Sequence, residues 1–163
     1  MCGPSMGFLG MQKMNKEIVV IGGGAAGMMA AIAAAERGAA VRLLEPNERL
    51  GKKLNITGKG RCNVTNNCTV EELLAHIPRN GKFLYSALVR FTSADAMAFL
   101  EGIGVPLKTE RGNRVFPVSD CAFDVSGALK KRMEKLGVRW EHDRAVLVLS
   151  DASPNDDQRI PVG

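Results

Sequence analysis

The chain has 163 residues, a formal net charge of +5 and 45% hydrophobic residues. This length is enough for one domain with its own core, and the composition is that of a globular protein. The charge favours anionic partners, but no RNA- or DNA-binding motif accompanies it, so we expect a small-molecule substrate and no nucleic acid. The four cysteines lack C-x-x-C spacing, which excludes a disulfide scaffold and a zinc site and fits a cytoplasmic location.

The amino-terminal part of the chain contains no secretory signal. Residues 1–16 lack the charged and apolar regions of a signal peptide, and we expect a disordered leader. Residues 18–35 are uncharged and long enough to raise the alternative of a membrane-spanning helix. Glycine and alanine give this stretch little hydrophobicity, so we expect no membrane partner.

A strand, a helix and a second strand are predicted in the next thirty residues. The β-branched run 18–21 predicts a strand buried on both faces, and the alanine-rich run 25–37 predicts a helix that ends at Gly38. A second buried strand is predicted at 41–44. This order of elements is the βαβ unit.

Three glycines between the first strand and the helix fit the pattern G-x-G-x-x-G: Gly22, Gly24 and Gly27. The first permits a sharp turn, the second lets the backbone approach a diphosphate, and the third lets the helix lie close to the sheet. The first helical N–H groups, at Ala25 and Ala26, and the positive end of the helix dipole attract phosphate.

Glu45 ends the second predicted strand and supplies the next part of the pattern. Its carboxylate can accept hydrogen bonds from the 2′- and 3′-hydroxyls of a ribose. The same negative charge disfavours a ribose with a 2′-phosphate. Together with the glycines, Glu45 predicts an adenine dinucleotide of the FAD or NAD type.

The middle of the chain is predicted to be helical after a loop at 46–67. Two capping boxes, Thr69 with Glu72 and Thr92 with Asp95, each predict the start of a helix. A third helix is predicted by an apolar face with helical spacing: Leu84, Ala87, Leu88 and Phe91.

The remaining predicted elements complete an α/β fold. We expect a β-hairpin around the ERGN turn at 110–113, a helix at 124–136, and strands at 138–142 and 145–149. The fold class is therefore a Rossmann-like FAD-binding βαβ unit with a parallel sheet, plus a small helical segment and a β-hairpin. The sequence predicts no metal site.

Three segments resemble bacterial NAD(P)/FAD-dependent oxidoreductases of the aminoacetone-oxidase and bile-acid-reductase type. They are IGGGAAGMMAAIAAAERG (21–38), LLEPNERLGKKLNITGKGRCNVTN (43–66) and, more weakly, residues 85–117. The middle segment is the most distinctive, because Rossmann proteins in general lack GKGRCNVTN there. Many members of the family have a further glycine where Lys59 stands.

The resemblance implies FAD as the cofactor and assigns residues to it. Gly22, Gly24 and Gly27 would hold the pyrophosphate, and Glu45 the adenosine ribose. Lys53 would lie near the adenosine end, and the segment 61–65 would run towards the ribitol and flavin. The further cofactor-binding residues implied by the family are Lys53, Gly60, Arg61, Cys62, Asn63, Thr65 and Val146, the last through its backbone beside the adenine.

Members of the family are much longer than this chain. We therefore expect residues 17–150 to be the N-terminal portion of an FAD-binding domain that is incomplete at its C-terminus. Residues 151–163 would be a turn-rich tail at the start of a missing second half. An unpaired sheet edge is then expected, which could support self-association.

The favoured hypothesis is a flavoprotein oxidoreductase that transfers a hydride equivalent between a nicotinamide or small organic substrate and an acceptor. NAD(P)H is a candidate electron donor. One alternative is a catalytically incomplete, nucleotide-binding fragment. Two others are an NAD-dependent dehydrogenase and a flavin disulfide reductase using Cys62 and Cys68. The sequence identifies no catalytic acid or base.

Overall fold

The computed structural model describes residues 17–143. The predicted leader 1–16, the predicted strand at 145–149 with Val146, and the tail 151–163 lie outside the described residues. The described strands are β1 (Glu17–Ile21), β2 (Ala40–Glu45), β3 (Thr65–Asn66), β4 (Leu107–Glu110), β5 (Arg114–Pro117) and β6 (Arg139–His142). The α-helices are α1 (Ala25–Glu36), α2 (Val70–Ala75), α3 (Gly81–Arg90), α4 (Ser93–Gly102) and α5 (Ala122–Lys135), with a 3₁₀ segment at Leu54–Gly60.

A parallel sheet of order β1-β2-β6 positions the site. Helix α1 packs on β1 and β2, and α5 packs against α1 and the 3₁₀ segment. The fully buried side chains of this core include Met28, Ile32, Leu43 and Met133. The predicted α/β fold with a βαβ unit and a parallel sheet is confirmed.

Strand β1 differs from its prediction. It was expected to be buried on both faces, but Ile18, Val19 and Ile21 are 43–46% exposed. The reason is that β1 stands at the end of the sheet and pairs only with β2 among residues 17–143. A β-branched run predicts an extended conformation, but it does not predict which elements pack on the strand and bury it. The unpaired edge is therefore present in the described structure, whereas self-association stays a prediction.

The predicted hairpin forms and belongs to a second, antiparallel sheet of order β3-β5-β4. Gly112 and Asn113 at its turn have φ values of +76° and +58°, the left-handed conformation that tight hairpin turns require. The pairing of β3 with β5 was not predicted, since a strand of two residues is too short to give a periodic pattern.

Both predicted capping boxes are present. The Thr69 hydroxyl accepts from the Glu72 N–H at 3.2 Å, and the Glu72 carboxylate accepts from the Thr69 N–H at 2.8 Å. Thr92 and Asp95 make the same reciprocal pair at the start of α4. These bonds satisfy N–H groups that the first turn of a helix leaves unpaired.

Helix α3 forms as predicted, but its apolar face is not in the core. Leu84 and Phe91 are 41% and 45% exposed, Ala87 is exposed, and Leu88 is half-buried. The reason is that α3 packs mainly against the short helix α2. Helical spacing predicted the helix, while its partner depends on the tertiary structure.

The uncharged stretch 18–35 is divided between β1 and α1. In the part of the chain from residue 17 to residue 143, no helix combines the length and the apolar character needed to cross a bilayer.

Candidate functional site

The corner between β1 and α1 depends on Gly22 and Gly27. Gly22 has a φ of +96°, and its N–H donates to the Leu44 carbonyl at 2.7 Å, which ties the turn to β2. A Cβ at Gly27 would lie 1.8 Å from the Gly22 carbonyl oxygen. Only glycine therefore lets α1 begin this close to the turn, as the glycine pattern predicts.

Gly24 is different, because nothing in the described protein requires a glycine there. Its backbone is extended (φ −75°, ψ −177°), and a Cβ added to it would meet no atom within 4 Å. Helix α1 also starts without a side-chain cap and without an acidic residue in its first turn. Its positive end, at Ala25 and Ala26, is thus not neutralised by the chain and is suited to an anion.

Gly23 is a position that requires glycine and that the pattern analysis missed. A Cβ at Gly23 would lie 2.4 Å from Leu50 Cδ2 and 3.1 Å from Glu45 Oε2. The Gly23 N–H donates to Glu45 Oε2 at 2.6 Å, and the Gly23 carbonyl accepts from the Gly51 N–H at 2.8 Å. The run of three consecutive glycines was the available signal, since the standard pattern leaves this position free.

The carboxylate of Glu45 is held against the glycine corner and is only 6% exposed. Burial by itself raises the pKa of this carboxyl. Hydrogen bonds from the Asn47 side chain and from the N–H groups of Gly23 and Asn47 outweigh that effect, so the pKa lies below the usual value of 4.5. Glu45 is therefore ionised at neutral pH.

Glu45 has limited room for further hydrogen bonds. Its Oε1 accepts from the Asn47 N–H at 2.9 Å and from the Asn47 side-chain amide, and its Oε2 accepts from Gly23. An ionised carboxylate has about four acceptor positions, so about one remains, on Oε2. The side chain can thus take one ribose hydroxyl in this arrangement, whereas the sequence suggested a pair.

Two adjoining clefts bring most of the predicted residues together. The smaller, of about 320 Å³, is bordered by Gly24, Glu45, Asn47, Lys52, Lys53 and Ile56. The larger, of about 520 Å³, is bordered by six predicted site residues: Gly24, Ala25, Ala26, Lys53, Cys62 and Asn63. Gly24 and Lys53 belong to both clefts, so the start of α1 lies between them.

The rest of the larger cleft is an apolar wall that was not predicted as part of the site. Its residues come from α1, the 3₁₀ segment, the segment just before β3, α4 and α5, and include Met29, Leu54, Val64, Phe99, Leu100 and Leu129. On α4 and α5 the helical spacing marked these positions as core. A pattern of apolar residues cannot distinguish a packed interior from the lining of a cleft.

Arg61 does not line either cleft. Its guanidinium forms ion pairs with Glu110 at 2.5 Å and Asp120 at 2.6 Å and lies over the Phe116 ring, 4.2 Å from the centroid. The expected positive charge beside a diphosphate is therefore already paired with two carboxylates. Those partners lie 49 and 59 residues away in sequence, which is why the loop alone did not reveal them.

Other predicted residues also lie outside the lining of these clefts. Gly22 and Gly27 shape the corner from within, Gly60 has a φ of +85°, and the Thr65 hydroxyl donates to the Ser93 hydroxyl at 3.2 Å. Their contact with a cofactor stays a prediction, as does that of Val146.

No disulfide joins the cysteines of the described structure, and a dithiol centre of Cys62 and Cys68 stays a hypothesis. Cys62, Cys68 and Cys121 are free thiols, and Cys62 is buried beside the larger cleft. Burial raises the pKa of the Cys62 thiol, so it stays neutral. Residues 17–143 contain no group of three or more His, Cys, Asp or Glu side chains arranged for a metal ion.

The sequence of this chain is similar to a protein family and to curated proteins. The model of the family described as HI0933-like protein Rossmann domain matches residues 16–160. A 3-dehydro-bile acid delta(4,6)-reductase from Clostridium scindens is 36% identical over 128 residues, which cover 77% of this chain and 30% of that protein. The ribosomal RNA dihydrouridine synthase of Escherichia coli is 31% identical over 131 residues, 80% of this chain and 32% of the relative. The chain thus spans about a third of the length of these relatives.

Solved structures share the fold. A 3-ketosteroid-delta4-(5alpha)-dehydrogenase from Rhodococcus jostii RHA1 superposes with a TM-score of 0.58 at 18% identity, covering 81% of this chain and 39% of the other. A flavocytochrome c3 fumarate reductase gives a TM-score of 0.52 at 20% identity, covering 76% of this chain and 26% of the other. At these identities the likeness is one of fold alone. The family match over nearly the whole chain carries the assignment: this chain belongs to the HI0933-like Rossmann-domain family.

Proposed function

We propose that this chain forms the adenosine diphosphate end of an FAD site in a flavoprotein oxidoreductase. The observation that carries the proposal is that Gly24, the uncapped start of α1, Glu45 and Lys53 border the same cleft. An anion-binding helix end, a carboxylate and a cation are the groups that a diphosphate linked to a ribose requires.

Each of these residues has a distinct role in the proposal. The first-turn N–H groups at Ala25 and Ala26 donate to the diphosphate, and the Lys53 ammonium balances its charge. Glu45 accepts a hydrogen bond from one ribose hydroxyl on Oε2. Gly24 leaves the space in which the diphosphate meets the backbone. Cys62 and Asn63, on the larger cleft, face the ribitol side.

The bound flavin supplies the redox chemistry, by accepting or donating a hydride equivalent. The names of the two curated relatives both describe the reduction of ring double bonds, on a bile-acid derivative and on ribosomal RNA. We therefore propose reduction of a conjugated ring as the reaction of the whole protein, with NAD(P)H as electron donor. The part of this chain is to bind and orient the cofactor, while the apolar wall of the larger cleft excludes water.

Binding titrations with the purified full chain test the proposal. FAD, FMN and NAD are titrated separately, using flavin fluorescence or calorimetry. Tighter binding of FAD than of FMN is expected, because the contacts lie at the adenosine diphosphate end. Binding of NAD with higher affinity than FAD would instead support the dehydrogenase alternative, and binding of neither would overturn the assignment.

A single substitution separates cofactor contact from folding. Gly24→Ala adds a methyl group that touches no protein atom, in a backbone conformation open to any residue. We expect FAD affinity to fall by about tenfold or more while the thermal unfolding midpoint stays unchanged. Gly127→Ala on α5, where an added Cβ also meets nothing within 4 Å, is the matched control and should leave FAD binding intact.

A further inference from the structure

The chain folds back on itself directly after β2, where Asn47 meets the carboxylate of Glu45. The intervening residue, Pro46, has no N–H, so the first backbone N–H after Glu45 is that of Asn47. It donates to Glu45 Oε1 at 2.9 Å, and the Asn47 side-chain amide donates to the same oxygen. A carboxylate oxygen has about two acceptor positions, so Asn47 fills Oε1.

The backbone of this turn is anchored by the end of β6. The Glu45 carbonyl accepts from the Asp143 N–H at 3.0 Å, and the Pro46 carbonyl lies 3.0 Å from Nε2 of the His142 ring. The side chains of Glu45 and Asn47 therefore extend from a backbone whose position is set by the sheet.

Lys52 determines which end of the Asn47 amide faces Glu45. Its ammonium donates to Asn47 Oδ1 at 3.0 Å. An ammonium group has donors and no acceptor, so it pairs with the amide oxygen and leaves the amide nitrogen to face the carboxylate. If the amide were turned over, its oxygen would face the ionised Glu45 and its nitrogen would face Lys52, and both contacts would be repulsive. The sequence of hydrogen bonds from Lys52 through Asn47 to Glu45 thus has one favourable arrangement.

These hydrogen bonds hold the Glu45 carboxylate from two sides. The last torsion of a glutamate side chain is broad, and rotation about it exchanges the two oxygens. Asn47 fixes Oε1, while Gly23 donates to Oε2 at 2.6 Å. The acceptor position that remains on Oε2 therefore keeps one orientation beside the smaller cleft, which Glu45, Asn47 and Lys52 all border.

We infer that Asn47, with its amide oriented by Lys52, is a positioning residue that presents Glu45 to a hydroxyl of the cofactor ribose. The inference rests on the proposed cofactor site and extends it to two residues outside the glycine and glutamate pattern. A carboxylate that is already fixed loses little rotational freedom when the ligand binds, so its hydrogen bond contributes more to affinity. In this role Asn47 acts through Glu45 and not through a contact of its own with FAD.

A double-mutant cycle of FAD titrations with the full chain tests this role. Asn47→Ala should lower FAD affinity about tenfold. The double variant with Glu45→Ala should bind no more weakly than Glu45→Ala alone, because Asn47 then has no carboxylate to position. Asn67→Ala, an exposed asparagine outside the lining of both clefts, is the matched control and should bind like the wild type. The affinities are measured below the unfolding transition of every variant.

The role of Lys52 is tested in the same way. Lys52→Met removes the ammonium and keeps most of the aliphatic stem, and we expect FAD affinity to fall about threefold. In the Asn47→Ala background the same change should have no further effect. A loss that persists in that background would mean that Lys52 acts on the ligand directly and would overturn its assigned role. Lys131→Met, at an exposed lysine on α5, is the control for charge and should be silent.

Amide hydrogen exchange of the ligand-free chain tests the positioning without FAD. Exchange at the Gly23 N–H should become about tenfold faster in Asn47→Ala, because its acceptor, Glu45 Oε2, is no longer held. The Gly22 N–H donates to the Leu44 carbonyl and should exchange as in the wild type. This pair of amides distinguishes release of the carboxylate from a general loss of stability, which would affect both.

Three outcomes would overturn the inference: wild-type FAD affinity for Asn47→Ala, losses that add in the double variant, or unchanged exchange at Gly23. A wild-type chain that binds no FAD, while Gly23 responds as expected, would refute the proposed function and still support the positioning of the carboxylate. The two failures are therefore distinguishable.

Discussion

Two glycine-rich corners of the molecule use glycine for different reasons. At residues 22–27 only Gly22 has a positive φ, Gly27 is required by a close backbone contact, and Gly24 is required by neither. At residues 58–62 the left-handed conformation recurs at Gly58, Lys59, Gly60 and Cys62, two of which are not glycine. The first corner is therefore unstrained, while the second holds two side chains in a conformation that costs about 1–2 kcal/mol per residue.

The comparison shows that the glycines of one motif can be required for different physical reasons. A glycine can be required by its own backbone angle, by a neighbouring atom, or by something outside the chain. Substitutions at the two corners separate these three causes, and the expected effects differ in size and in sign.

Gly27→Ala should have the largest effect on stability. The new Cβ would lie 1.8 Å from the Gly22 carbonyl oxygen, so α1 must move away from the corner. We expect a loss of about 3 kcal/mol or more in the free energy of unfolding, measured by urea denaturation. Gly127→Ala is the helical control and should be neutral or slightly stabilising. A wild-type stability for Gly27→Ala would refute the close-contact explanation.

Gly58→Ala should come second, because it combines both costs. The residue has a φ of +56°, and an added Cβ would lie 3.0 Å from the Asn63 N and 3.2 Å from Phe116 Cε1. We expect a loss of about 2 kcal/mol in urea denaturation. Gly60→Ala, with a φ of +85° and no atom within 4 Å, should lose only about 1 kcal/mol. If the two variants are equally stable, the contact of the new Cβ at position 58 with Asn63 and Phe116 does not contribute to the loss of stability.

Glu45→Gln should weaken the first corner in a pH-dependent way. The pKa of Glu45 is lowered in the folded protein, so its contribution is present above the usual carboxyl value of 4.5 and is lost as pH falls through the lower folded value. At neutral pH we expect a loss of about 1.5 kcal/mol, from the charged hydrogen bonds to Gly23 and Asn47. Urea denaturation at several pH values should show this difference shrinking below about pH 4.5. A difference that is constant with pH would mean that the ionised form is not the stabilising one.

Lys59→Gly should have the smallest effect and the opposite sign. The residue has a φ of +60°, which glycine adopts without a Cβ penalty. We expect a gain of about 1 kcal/mol in the free energy of unfolding. Lys59→Ala is the control, because it removes the charge and keeps the strain. Equal stabilisation by both variants would assign the effect to the side chain instead of the backbone.

Local patterns predicted the local structure well. The glycine corner, the end of β2 at Glu45 and the boxes at Thr69 and Thr92 each depend on residues within a few positions of one another. In such cases the interacting residues are close in sequence, so a short pattern contains the physical cause of the structure.

Features that join distant segments could not be predicted in this way. The Arg61 guanidinium donates a hydrogen bond to Asp120, which is 59 residues away in sequence. Gly23 must lack a side chain because Leu50 occupies the space where its Cβ would lie. The exposure of α3 depends in the same way on which element packs against it. Contacts of this kind follow from the tertiary arrangement of the elements, which a short sequence pattern does not predict.

Among residues 17–143, β1 stands at the end of the parallel sheet, and this position determines where an added strand would place its residues. The carboxyl end of β1 runs directly into Gly22, beside the cleft. A strand from any polypeptide that joins this edge in parallel delivers the residues after it to the diphosphate-binding side. One that joins in the antiparallel sense delivers the residues before it. Either addition brings new side chains to the same cleft, so the edge of β1 that pairs with no strand among residues 17–143 is a place where the groups around the site can be extended.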